Sequence, residues 1–352
     1  MGDMSTSMKR LLLFILLFLI GGGILVALVL DVGPRNIAQA FILFGLLPFV
    51  MFVSISLLNF ALYVYRWRFI LNKGLPKSQC LSFWRLYLHR MSGYAFMYIL
   101  PMSIFGSEPI RVGLLHEDGV PLKRATSSVV IDLAFELTAF ILFVSIGLVL
   151  ALFEHVALGS SGWLLILALG LFTALLVAFY VATISGRGFF RTIFRFFRLH
   201  ERKGFRKLDR WLEGMEAQMT QFLNGHPKIM LWLLFLSLVM VSFKAFETWF
   251  IVYFLGTTLT FSQAFLASTI PGLAMLIPVP GGLGFYEAGN TGLFALLGIP
   301  VNAIVLVLII RLRDIVFVAI GLFHASGSIA DYVRARLLSP KLPTLDSRSS
   351  DS

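Results

Sequence analysis

The side chains able to do chemistry in this chain are charges set within long apolar stretches. Asp132 and Glu136 stand four apart, Lys244 and Glu247 three apart, and Arg311 and Asp314 three apart, with Arg313 on a neighbouring face. On a helix each of these pairs shares one face. At the centre of a bilayer an unpaired charge costs about 2.5–3.5 kcal/mol on insertion scales, so such groups must turn inward and find partners. Lys244 with Glu247, and Arg311 with Asp314, therefore read as ion pairs holding a bundle together. The sharper alternative makes them the polar lining of a path for a lipid headgroup. Arg111 and Arg311 would then face a phosphate, whose oxygens a guanidinium matches in paired hydrogen bonds.

Two acids sit next to breaks in the apolar pattern. Glu287 follows Pro278, Pro280, Gly281, Gly282 and Gly284. Proline lacks the amide donor and glycine carries the largest backbone-entropy cost, so a helix must break there. Broken backbone survives in a membrane only when buried in protein or lining a wet cavity, and with an acid beside it can hold a polar ligand or coupling ion. A similar pattern surrounds Glu108, with Pro101 and Gly106 before it. In both places a Gly-x-Pro follows, its proline thirteen residues after the acid, at Pro121 and Pro300. Asp132 and Arg311 each fall eleven residues beyond that proline. The likeness predicts an internal repeat, with Glu108, Arg111, Glu287 and Arg311 as the principal ligand-binding candidates. For Glu108 and Arg111 the alternative is a solvated pair at the cytoplasmic rim.

The elements that position these residues follow from composition. With 58% hydrophobic and 13% charged residues and a mean hydropathy of +0.89, the chain has several apolar runs of membrane-spanning length. An all-α polytopic membrane protein is expected, with about six full spans: Leu11–Leu30, Ala40–Tyr65, Thr126–Leu152, Trp163–Ile184, Lys228–Leu255 and Val301–His324. Two re-entrant broken hairpins carry the motif copies, the first from Leu86 and the second over Phe261–Leu297. Tyr63 and Trp67 read as interface anchors, and Arg66 and Arg68 as cytoplasmic charges at the end of a span.

Net charge is +11, concentrated between Arg187 and Arg210, where nine Lys or Arg face two acids. Such a loop stays cytoplasmic, and its alternating Phe and Arg suit an anionic leaflet. Both termini then lie inside. One membrane domain is expected over residues 1–335, with repeat one at about 40–152, repeat two at about 228–325, a basic loop at 187–227 and a disordered tail at 336–352. The first hairpin opens from the cytoplasmic side and the second from the opposite side. Inverted repeats of this kind are the architecture of alternating access.

Other chemistries lack their residues. Cys80 is the single cysteine, no His pairing has metal-ligand spacing, and His324 reads as a packed or interfacial residue. No nucleotide loop, nucleophile elbow or nucleic-acid recognition module is present, so no cofactor, no enzymatic activity and no nucleic-acid partner are expected.

Three segments carry a resemblance to a known family: Tyr65 to Arg68, reading Tyr-Arg-Trp-Arg; Gly106 to Arg111, a Gly-x-Glu-x-x-Arg segment; and Pro278 to Gly284 with Glu287. By organisation, Leu11 to Tyr332 resembles the transmembrane region of the lysylphosphatidylglycerol synthases, the flippase-like half of the multiple peptide resistance proteins. Where that pattern carries a Glu-Arg pair and then an acid, this chain has Asp132, Leu133 and Glu136. The catalytic aminoacyl-transfer domain is absent from this sequence. The resemblance implies a protein of a prokaryotic cytoplasmic membrane that moves a lipid, with anionic phospholipids or polyprenyl-phosphate-linked molecules as partners. Alternatives are a scaffold for a polyprenyl-phosphate-dependent glycosyltransferase or a carrier of small ions; a homodimer is compatible with each.

Overall fold

The computed structural model describes residues 23, 26–76, 79–99, 107–153, 161–198, 205–225, 227–277 and 279–338. Among them every regular element is helical. In order these are α1 (Val26–Val32), α2 (Pro34–Phe44), α3 (Leu46–Asn72), α4 (Phe83–Ile99), α5 (Ser107–Glu117), α6 (Leu122–Phe153), α7 (Ser161–Ile184), α8 (Phe189–Phe196) and α9 (Arg206–Gly225). They continue with α10 (Pro227–Phe254), α11 (Phe261–Thr269), two short 3-10 turns (Pro271–Leu276 and Pro280–Gly282), α12 (Phe285–Leu296) and α13 (Ala303–Leu338).

Among the described residues four helices are long and apolar enough to cross a membrane: α3, α6, α7 and α10. The pair α1–α2, bent by 79° at Gly33, makes a fifth if taken as one span. The chain is thus an all-α polytopic membrane protein. The expected span Ala40–Tyr65 is corrected on both ends. Gly45, at φ 76°, separates α2 from α3, and α3 then continues to Asn72. Arg66 and Arg68 therefore lie within the helix rather than after it. Of the expected first span, residues 11–22 and 24–25 fall outside the described residues. The last span is part of α13, which runs past His324 to Leu338; Arg311, Arg313 and Asp314 interrupt its apolar pattern.

The second hairpin is built from pieces too short to cross. α11 has 9 residues and α12 has 12, about 14 and 18 Å of helix at 1.5 Å per residue, against about 30 Å of hydrocarbon. They return on themselves, since Gln263 Nε2 donates to the Leu297 carbonyl at 3.3 Å. A capping box at Thr260 starts α11, and Pro271 ends it. The first hairpin is α4 folded against α5. A Cβ built on Gly93 would lie 2.9 Å from Arg111 Cγ, and beyond α5 Asp118 Oδ2 reaches His89 Nε2 at 2.8 Å. Its turn, with Pro101 and Gly106, lies outside the described residues, as does Pro278 of the second.

Three larger apolar cores carry most of the packing among the described residues. One joins α2, α3, α10, α11, α12 and α13 through Phe52, Ile251, Leu266 and Leu306. Another joins α3, α4, α5, α6 and α13 around Trp67, Met91 and Leu115. A third seats the basic loop: Met215 and Met219 of α9 pack with Ile131 and Phe135 of α6 and with Phe179 of α7. In that loop Glu216 Oε1 accepts from the Phe190 and Arg191 amides, tying α9 to the start of α8. Phe196 and Phe197 remain exposed at the far end of α8. α3 enters all three cores.

Candidate functional site

Two clusters of buried charge occupy the interior. The first is centred on Asp132 of α6, which has no exposed surface. Three arginines from three helices converge on it. Arg66 Nε of α3 donates to Oδ1 at 2.8 Å, Arg90 Nη1 of α4 to Oδ2 at 2.6 Å, and Arg111 Nη2 of α5 to Oδ2 at 2.8 Å. Arg90 Nη2 also reaches Glu136 Oε2 at 2.9 Å, and Arg66 Nη1 donates to Ser237 Oγ of α10 at 2.8 Å. Aromatic faces complete the cage, with Arg111 4.0 Å above the Trp67 ring and Arg90 4.8 Å above Tyr63. Removed from water, each ion needs this many partners, because desolvation costs several kcal/mol per charge.

The second cluster forms where the second hairpin meets α13. Glu287, also fully buried, accepts from the Gly284 amide at 2.7 Å through Oε2 and from Arg311 Nε at 2.9 Å through Oε1. Arg311 Nη1 donates to the Gly281 carbonyl at 2.7 Å, so the broken backbone is satisfied by the same ion pair that pins it. Gly281 has φ 56°, and a Cβ there would stand 2.7 Å from the Tyr98 ring; only glycine fits. Next to this pair, Asp314 accepts from Tyr94 Oη at 2.8 Å, from Tyr98 Oη, and from Arg313 Nη2 at 2.7 Å. Arg313 Nη1 continues to Glu247 Oε2 at 3.2 Å, and Ser56 Oγ donates to Glu247 Oε1 at 2.8 Å.

Several expectations are corrected by this geometry. Arg311 pairs with Glu287 and not with Asp314, because the hairpin brings Glu287 and the Gly281 carbonyl onto its fork. Glu247 pairs with Arg313 and not with Lys244: the α13 guanidinium lies in the interior beside it. Among the described residues the Lys244 ammonium makes no ion pair or hydrogen bond. Tyr63 and Trp67 are buried inside the bundle instead of anchoring it at an interface. Arg111 is engaged by Asp132 and Trp67. Glu108 takes a hydrogen bond from Ser107 Oγ at 2.7 Å, while its Oε2 is buried without a partner among the described residues. Pro280, Gly281, Gly282 and Gly284 all stand in the turn before α12; Pro101, Gly106 and Pro278 lie outside the described residues.

The sequence reading did not place Arg66, Arg90, Tyr94 or Tyr98 in the interior clusters. Arg90, Tyr94 and Tyr98 do recur at four-residue spacing, which puts them on one face of α4. That face spans both clusters, Arg90 touching the first and the two tyrosines the second. The Leu133 departure is explained as well, since Asp132 draws its arginines from neighbouring helices.

Outside the spans, α4 and α5 are clasped by Asp118, held between His89 and Arg85. Burial pushes its carboxyl up, but the hydrogen bonds from His89 and Arg85 outweigh that and hold it below the usual aspartate value. His89 also meets His324 of α13 at 3.1 Å. In the basic loop, burial pushes the Glu216 carboxyl above its ordinary value in spite of the amides it caps. No group of side chains among the described residues has the arrangement of a metal site.

Apolar helices around a paired, charged interior define an integral membrane protein of the helical class. The chain belongs to the family of the lysylphosphatidylglycerol synthase TM region, whose model matches residues 12–321. No curated protein matches the sequence.

Proposed function

We propose that this protein carries a lipid or lipid-linked molecule with an anionic headgroup from one leaflet to the other. One observation carries the reading: charge clusters built by the first and second motif copies meet on a single helix, α4, deep within apolar surroundings. A structural bundle has no need of ten paired charged groups here, since replacing buried ion pairs by apolar residues is often neutral or stabilising. Their presence fits a path along which a headgroup exchanges water for protein charges.

The mechanism follows from the pairings. Arg111 binds Asp132, 21 residues on, and Glu287 binds Arg311, 24 residues on, so each motif helix is latched to the next long helix with opposite polarity. In the inverted-repeat reading, an arriving phosphate competes with Asp132 or Glu287 for these guanidiniums. One latch loosens while the other holds, giving access from alternate sides. Both termini are cytoplasmic in this scheme, in the inner membrane of a prokaryotic cell. The chain performs no covalent step of its own. A glycosyltransferase or lipid-modifying enzyme would supply or consume the cargo, and two copies can pair.

Leaflet exchange of fluorescent lipids in proteoliposomes tests the proposal. Exchange by the native chain, lost in Arg311→Ala and in Glu287→Gln, is expected. No exchange of any lipid by folded protein would leave the scaffold reading in its place, and ion flux without lipid movement would favour the small-ion carrier.

A further inference from the structure

Among the described residues, Lys244 is the one intramembrane cation of this interior that the two clusters leave unused. It stands on α10 in the ladder Leu233, Ser237, Met240, Lys244, Glu247 and Ile251, spaced three and four apart along one stripe. The other five are buried, whereas Lys244 is exposed. The outward stripe of α10 is elsewhere, at Leu231, Phe235, Phe246 and Tyr253. An exposed residue on the inward stripe of a helix that faces its neighbours implies accessible space between the helices beside Lys244. The titratable side chains around it come from four helices: the carboxylates Glu136 of α6 and Glu247 of α10, and the neutral phenols Tyr63 of α3 and Tyr286 of α12. Glu136 is itself 34% exposed there. Both acids are already committed, Glu136 to Arg90 and Arg66 and Glu247 to Arg313 and Ser56.

A second, independent observation points at the same space. The Tyr63 hydroxyl is buried with no hydrogen-bond partner among the described residues. A buried hydroxyl without a partner carries an uncompensated desolvation cost, so it is expected to meet a ligand atom. We propose that Lys244 and Tyr63 together bind a phosphate group of the transported lipid, the ammonium supplying the charge and the phenol a hydrogen bond to one oxygen. This assignment rests on the lipid-transport reading and specifies its headgroup. An ammonium suits the role because it is a compact charge on a flexible stem, able to follow a phosphate that moves past, whereas the arginines around it are fixed in forks. The position between Glu136 of the first cluster and Glu247 of the second puts the phosphate at the junction of the two.

The experiment measures binding and leaflet exchange separately, on the full chain. Probes are fluorescent phosphatidic acid, a fluorescent neutral glucosyl diacylglycerol, and inorganic phosphate as competitor. Lys244→Gln should weaken phosphatidic acid binding and slow its exchange by at least about tenfold, the loss of one charge-assisted hydrogen bond. Lys244→Arg should restore part of both, and Tyr63→Phe should show a smaller loss. The neutral lipid should be indifferent to all three variants. Equal phosphatidic acid binding and exchange by native and Lys244→Gln protein would overturn the assignment and leave the transport reading standing. Lys244-dependent binding with no exchange of any lipid would retain the site and remove translocation. Lys244-dependent binding of inorganic phosphate without any for phosphatidic acid would overturn the lipid source. Should Lys244→Gln fail to fold, Tyr63→Phe decides by itself, since unchanged phosphatidic acid affinity in that variant rejects the shared site.

Discussion

Asp132 is the residue on which most depends, because it is the shared counter-ion of three guanidiniums that repel one another in a buried space. Removing one partner from a buried ion network leaves charge uncompensated, at a cost of about 3–5 kcal/mol. Asp132→Asn is therefore expected to lower the thermal midpoint of the detergent-solubilised protein sharply, more than Glu136→Gln, whose carboxylate is partly exposed. Glu287 plays two parts that substitution can separate. Gln at 287 keeps an oxygen for the Gly284 amide and loses only the charge facing Arg311; Ala loses both. The midpoint should fall further in Glu287→Ala, by a margin worth about 1 kcal/mol for the lost cap. That Asp132 and Glu287 would be buried in the interior was legible from charge in an apolar context alone. Which acid meets which base was not, because (i, i+3) spacing offers Arg311 an Asp314 partner that the distant hairpin displaces.

Among the elements, α4 decides how the two halves are joined. Its inner face packs on α13 at Gly321, where a Cβ would fall onto the Met91 carbonyl and the Ala95 side chain, and Ser92 Oγ donates to the Gly321 carbonyl at 2.9 Å. Gly321→Val should push the two helices apart and cost about 1–3 kcal/mol, read as a drop in unfolding midpoint. Ser92→Ala should cost about 1 kcal/mol. The α4–α5 clasp gives a pH dependence of known sign. Asp118 titrates lower in the folded chain than unfolded, so its contribution is complete above the unfolded value of about 3.9 and is lost as pH falls through the folded one. The midpoint difference between native protein and Asp118→Asn should hence shrink as pH falls below about 4. Helix content and both hairpins were readable from apolar length and from Pro and Gly. The register of α3 was not, since an arginine at a span end and an arginine inside a buried network look alike until its neighbours are folded around it.

For the whole molecule, the proposed inverted arrangement of the two hairpins makes a topological claim that labelling can examine. In a Cys80→Ser background, Glu117→Cys after the first hairpin should react with a membrane-impermeant maleimide only from the cytoplasmic side. Thr258→Cys, in the exposed turn before α11, should react only from the other. Labelling of both from one face would rule out inverted repeats. The basic loop was expected to set orientation by charge; its seating on α6 and α7 through Met215, Met219 and Phe179 was hidden, because apolar residues of a charged loop give no sign of where they dock. One further consequence attaches to α4. Because Arg90 belongs to one cluster while Tyr94 and Tyr98 belong to the other, this helix is common property of both halves, and defects there should be pleiotropic. A selection for second-site suppressors of an α4 lesion would return changes in α6 and in α13 alike, whereas suppressors of a lesion in α12 should stay close to home.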